Sequence, residues 1–137
     1  MENNCLFCKA STKTIPVAKI YEDASSLAFL DIHPIAPGHA LVVPKTHVEN
    51  ILDLPDNQVE SFFQAVKKVV SLLKERLDPI GFTIGINHGR ISGQTIDHLH
   101  VHVVPRYEGD KGGSLHSVVN NPPQESLEAI QAKLVSK

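Results

Sequence analysis

The hydrophobic pattern of this chain passes from short extended runs to one long helical repeat and back again. Residues 15–21 and 27–32 are apolar-rich runs of strand length, separated by the polar turn Glu22-Asp23-Ala24-Ser25. The prolines and glycine of His33-Pro34-Ile35-Ala36-Pro37-Gly38 mark a loop. A third strand, residues 39–43, is closed by Pro44. From Pro55 to Leu77 the period changes: Val59, Phe62, Val66, Val69, Leu73 and Leu77 recur at helical spacing, joined by Phe63 and Val70. Asp56 and Glu60 stand near the start of this repeat, and Lys74 and Arg76 near its end, as the helix dipole favours. Asp78-Pro79 stops it. Residues 81–87 then predict a fourth strand, residues 88–94 a loop, and residues 97–104 a fifth strand paired antiparallel with the fourth, the loop overhanging it. A glycine-rich stretch, residues 107–113, leads to a short helix over about 123–135 through Leu127, Ile130 and Leu134. The elements predict an α+β fold with a mostly antiparallel five-stranded sheet, one long amphipathic helix and a short C-terminal helix. One domain is expected over residues 1–137, with its core at about 5–107 and a tail and helix at 108–137.

The fifth strand carries unusual chemistry. In Asp97-His98-Leu99-His100-Val101-His102-Val103-Val104, histidines alternate with aliphatic residues. Side chains alternate across a strand, so His98, His100 and His102 share one face while Leu99, Val101 and Val103 share the other. A solvated strand face is ordinarily built from Thr, Lys, Glu or Ser, so a row of imidazoles points to metal binding, nucleophilic attack or acid–base work.

Composition narrows the field. The 137 residues are 42% hydrophobic and 20% charged, ordinary for a globular protein, and the formal net charge is −2. No bulk basic surface invites nucleic acid or an anionic membrane. The first residues, Met1-Glu2-Asn3-Asn4-Cys5, do not resemble a secretory signal, and no apolar stretch reaches membrane-spanning length; a cytoplasmic protein is expected. The chain has two cysteines, Cys5 and Cys8, in C-x-x-C spacing, which in a reducing compartment suggests a metal or redox role rather than a structural disulfide.

Two chemistries compete for the histidines. Three His could form an open catalytic zinc sphere, but that would leave Cys5 and Cys8 without a role. A closed Cys₂His₂ set would use both cysteines with two of His33, His39, His47, His88, His98 and His116, and spacing does not choose among them. The other chemistry is attack by an imidazole nitrogen on phosphorus, giving a phospho-imidazole intermediate, with neighbouring imidazoles holding phosphate oxygens and moving protons. Gly93-Gln94-Thr95, just before the strand, offers a small backbone, an amide and a hydroxyl suited to phosphate oxygens and a departing group. Phosphorus chemistry is preferred, because zinc sites usually show carboxylate or Cys partners as well.

The run His98-Leu99-His100-Val101-His102-Val103-Val104 resembles the signature of the histidine triad (HIT) family, in which three His alternate with hydrophobic residues. The resemblance spans roughly residues 5–107. It extends to Ala28-Phe29-Leu30-Asp31-Ile32, to Pro37-Gly38-His39-Ala40-Leu41-Val42-Val43-Pro44-Lys45, and to Asn87-His88-Gly89 with Ser92-Gly93-Gln94, all in family order. It implies a nucleotide hydrolase cleaving at the α-phosphate, of adenosine 5'-phosphoramidate type, with His100 as nucleophile. His102 and His39 would contact the phosphate or steer protons, with Gln94 and Thr95 near the scissile bond, and His98 would complete the catalytic triad. Asp31 would take the ribose hydroxyls, Ile32 would wall the base, and Asn87 and Gly93 would face the phosphate. A zinc-carrying branch of the family matches Cys5, Cys8, His47 and His98 as structural zinc ligands, which gives His98 two roles. The resemblance further implies a purine nucleotide substrate and a homodimer paired through the long helix and an adjacent strand. The helix is apolar on more than one side, at Val69 with Val70 and Leu72 with Leu73, which suits two buried surfaces. Superfamily transferases end the triad in Gln, whereas His102 stands here. Two alternatives stay open: a dinucleoside polyphosphate hydrolase, and a zinc-stabilised nucleotide-binding module with little turnover.

Overall fold

The structure, a computed structural model, describes residues 4–135. Its strands are β1 (Lys19–Glu22), β2 (Ser26–Leu30), β3 (Ala40–Pro44), β4 (Gly81–Gly85) and β5 (Val101–Arg106). They form a sheet of order β1-β2-β3-β5-β4 in which each pairing is antiparallel. Three α-helices accompany it: α1 (Leu6–Ser11), α2 (Asp56–Leu77) and α3 (Leu127–Val135). The α+β architecture expected from the sequence is the one found.

Every residue of β3 is buried, and so is most of β2, because these inner strands are covered on both faces. On one face, Phe62, Val66, Val69 and Leu73 of α2 pack over Ala28, Val42, Val101 and Val103. On the other, Phe7 and Ala10 of α1 pack over Leu27, Phe29, Leu41 and Val43. Burying side chains of this size contributes roughly 1.5–3 kcal/mol each. Helix α2 ends where Asp78 adopts a left-handed conformation (φ +50°) and returns its N–H to the Lys74 carbonyl. Pro79 cannot continue the helix.

Element ends differ from the sequence reading for local reasons. The fifth strand begins at Val101 rather than Asp97. β3 ends at Pro44, which has no N–H, and the chain turns away; the Leu99 N–H is taken instead by the Val48 carbonyl at 2.7 Å. The alternation nonetheless persists through residues 98–100, with Leu99 in the α2 core and His98 and His100 against Phe7. β1 starts only at Lys19, after Pro16. Helix α1 was not expected, because its six residues are too few for a visible periodicity. Cys5 caps it, its sulfur accepting the Cys8 N–H at 3.3 Å.

Phe62 is 1% exposed at the centre of the α2 face. Phe62→Ala should therefore cost about 3–5 kcal/mol in chemical denaturation, whereas a loss below about 1 kcal/mol would contradict this packing.

Candidate active site

The histidines of β5 and the segment before it have their tautomers set by hydrogen bonds that trace back to main-chain atoms, directly for His98 and His100 and through His39 for His102. A carbonyl oxygen can only accept, so the 2.7 Å contact between His100 Nδ1 and the His98 carbonyl places the His100 proton on Nδ1. In the neutral ring Nε2 then carries a lone pair, as a nucleophile requires. The reverse logic governs His39 and His102. The Ile35 N–H donates to His39 Nδ1 at 3.2 Å, so a neutral His39 carries its proton on Nε2. That N–H donates to His102 Nδ1 at 2.9 Å, which leaves His102 protonated on Nε2. Asp31 Oδ2 stands 3.5 Å from His39 Nε2, and Asp31 Oδ1 accepts the His33 N–H at 2.9 Å. Asp31, His39 and His102 lie close enough to suggest a metal site. The Ile35 bond argues otherwise: it puts a proton, not a lone pair, on the His39 nitrogen facing the other two. This group reads as a hydrogen-bond relay.

Burial disfavours the charged forms of His102 and His39. It pushes His102 down to about 4, helped by the neighbouring His100 and His39 and opposed by Asp31. His39 is lowered too, chiefly by burial and against the pull of Asp31.

A second cluster lies beside the first. His98 Nε2 donates to the Pro44 carbonyl at 2.8 Å, so its Nδ1 lone pair faces the sulfurs of Cys5 at 3.3 Å and Cys8 at 3.6 Å. His47 Nδ1 lies 3.2 Å from Cys8 Sγ. Burial, first among the causes, pushes His98 down to about 4. The two cysteines are not joined in a disulfide. Metal–sulfur bonds of about 2.3 Å and metal–nitrogen bonds of about 2.0–2.1 Å at tetrahedral angles put S and N about 3.6 Å apart. The observed separations are close to that edge, and the outward N–H of His98 is already anchored, as metal-binding imidazoles require. Cys5, Cys8, His47 and His98 are thus placed to hold a metal ion.

A cleft of about 510 Å³ opens on the sheet face opposite α2. Asp31, Ile32, Asn87, Gly93, Thr95, His100 and His102 line it together with the apolar Leu6, Phe7, Ala10, Ile15, Val17 and Phe29.

A family model described as the HIT domain matches residues 12–109. The chain belongs to the HIT family. A Bacillus subtilis relative named hit is 38% identical over 136 residues, covering 98% of this chain and 94% of its own. The adenosine 5'-monophosphoramidase of Schizosaccharomyces pombe is 39% identical over 134 residues, covering 98% of each chain. The crystal structure of a Bacillus subtilis HIT-family member superposes with a TM-score of 0.85 at 37% identity, covering 96% of this chain and 95% of that one.

Within this HIT protein, the ten residues singled out from sequence for the nucleotide and its chemistry divide into two groups. Seven of them meet in the cleft as described. His39, Gln94 and His98 do not line it. His39 stands behind His102, and His98 turns to the cysteines. Gln94 is occupied by main chain: its Nε2 donates to the Glu49 and Ile96 carbonyls at 2.8 and 3.0 Å, and its Oε1 accepts the Gly89 N–H at 2.8 Å. It staples the loop that presents Gly93 and Thr95, and Gly93 turns that loop with a φ of +103° that side chains rarely tolerate. Ile32 is 85% exposed at the cleft rim. The sequence reading missed the apolar wall from α1. Six residues carry no periodicity that would have announced it. No described helix is long and apolar enough to cross a membrane.

The depressed His102 fixes the sign of an acid effect. Unfolded imidazole titrates near 6.5 and native His102 near 4, so between these values the unfolded chain binds more protons and stability falls as pH falls. The melting temperature should drop from pH 7 to pH 5, and His102→Gln should flatten that slope. An unchanged slope in the variant would remove His102 as a source.

Proposed function

We propose that this protein is a nucleotide hydrolase that cleaves a purine nucleoside 5'-phosphoramidate, of the adenosine type, at the α-phosphorus through a nucleotidyl-His100 intermediate. The observation that carries the proposal is the 2.7 Å bond from His100 Nδ1 to the His98 carbonyl, which turns an Nε2 lone pair into the nucleophile of a ring lining the cleft. The similarity to the yeast adenosine 5'-monophosphoramidase supports the substrate class.

The cleft suits such a ligand in three zones. Its apolar side, with Phe7 and Phe29, accepts a base; Asp31, an acceptor-rich carboxylate, takes ribose hydroxyls; and His100 and His102 meet the phosphate. His100 Nε2 attacks phosphorus, the N–P bond forms, and the bond to the leaving amine breaks. An amine leaves only with a proton, which solvent supplies at the open cleft, while His102 Nε2–H, held in that tautomer through His39, donates a hydrogen bond to a phosphate oxygen. Water then attacks phosphorus and loses a proton to solvent, the N–P bond breaks, and His100 departs as the neutral imidazole, leaving the nucleoside monophosphate. Neutral His102 avoids placing a second cation beside His100 that would compete for its lone pair. Zinc at Cys5, Cys8, His47 and His98 is structural in this reading: all four positions of a tetrahedron are filled by protein, so none is left for substrate.

The active unit is proposed to be a homodimer. β4 is an outer strand, and its edge, unpaired among the described residues, is a ready surface for a second copy. Ile84 pairs with Val103 and so shares the α2 side of the sheet, where it, Val59, Phe63 and Leu77 are exposed. Apolar groups around an open strand edge favour association.

His100→Gly should lower turnover of an adenosine phosphoramidate by about 10³-fold or more while AMP affinity stays within about threefold. In the wild type, acid quenching should trap AMP on His100. Wild-type-like single-turnover rates in the variant would sink the mechanism. Metal analysis of the purified protein should find about one zinc per chain, and less than about a tenth would defeat the zinc assignment. Ile84→Lys should shift the sedimentation mass from dimer to monomer, and a monomeric wild type would refute the pairing.

A further inference from the structure

We infer that metal binding at Cys5, Cys8, His47 and His98 and nucleotide binding in the cleft are coupled, with Phe7 as the positioning residue that carries the coupling. The inference rests on the reading of the cleft as a nucleotide site and of the cluster as a metal site.

The two sites share one short element. Helix α1 has six residues, too few to hold itself together in water. Cys5 is its N-cap and Cys8 lies in its first turn, so a metal bound to both sulfurs closes that turn. Phe7 lies between them in sequence and points to the sheet. Its ring centroid is 5.9 Å from His98, 5.0 Å from His100 and 5.5 Å from Phe29, each edge-on. One ring therefore touches a metal-facing imidazole, the proposed nucleophile and the apolar side of the cleft, which Phe7 lines with Leu6 and Ala10. Thr95 bridges the sites a second time, because it borders both the cleft and a separate cavity of about 400 Å³ along Cys5 and His47.

Loss of the metal releases the first turn of α1, and with it the cleft wall and the ring that packs on His100. A nucleotide packed on that wall holds Cys5 and Cys8 in ligand position. Linkage makes the two effects equal: whatever factor the metal adds to nucleotide affinity, the nucleotide adds to metal affinity.

The test uses the full-length protein, zinc-loaded and stripped by chelator, with AMP as probe in titration calorimetry. AMP should bind about tenfold more weakly to the stripped form, and saturating AMP should tighten zinc by the same factor in competition with a chromophoric chelator. Phe7→Ala, still holding one zinc, should bring that factor close to one, and Phe7→Leu should restore part of it. If the stripped protein is unfolded by circular dichroism, the zinc competition with and without AMP decides alone. A factor of one in the wild type overturns the inference while leaving the nucleotide site standing, as does a Phe7→Ala factor equal to the wild type's. Failure of AMP to bind the loaded protein overturns the reading of the cleft, failure of zinc to bind overturns the metal reading, and either takes the inference with it.

Discussion

His98 has no exposed surface, and a buried imidazole must find partners for both nitrogens or pay a desolvation penalty of a few kcal/mol. The rest of the site follows from how it does so. Its Nε2–H goes to the carbonyl of Pro44, a strand-ending residue. That choice turns Nδ1 toward the two sulfurs, while the main-chain carbonyl of His98 takes the proton of His100. One residue thus faces a cysteine cluster on one side and orients the His100 ring on the other. Burial pushes His98 itself toward the uncharged form, which keeps its hydrogen-bond directions without a charge to solvate.

Much of this was legible in the sequence, because period-2 alternation survives local irregularity. Leu99, Val101 and Val103 pack under α2, and the three histidines point the other way, although regular pairing starts only at Val101. The long helix was legible for the same reason, with 22 residues of consistent spacing and charges matched to its dipole. Pairing of Cys5 and Cys8 with His47 and His98 was not legible from spacing, since the partners are 39 to 93 residues away and only the sheet brings them together. Here the family resemblance supplied what spacing could not.

What stayed hidden depended on main-chain atoms. No side-chain pattern announces that the Ile35 N–H fixes His39, or that Gln94 spends its amide on Gly89, Glu49 and Ile96. Gln94 looked like a substrate contact because amides bind phosphates well. In the fold, the loop's own polar groups reach it first. Helix α1 stayed hidden for another reason: its stability comes from tertiary contacts and its cap rather than from sequence propensity.

The Gln94 staple also divides the architecture into parts that can change separately. The loop is tied down at Gly89 and Ile96, while between these points Arg90 and Ile91 stand in solvent, Ile91 fully. The sheet, by contrast, owns the imidazoles. New side chains at the loop's tip would alter what the histidines meet without retuning the histidines themselves. A fold built this way can diversify its chemistry of recognition while inheriting its chemistry of bond-breaking unchanged.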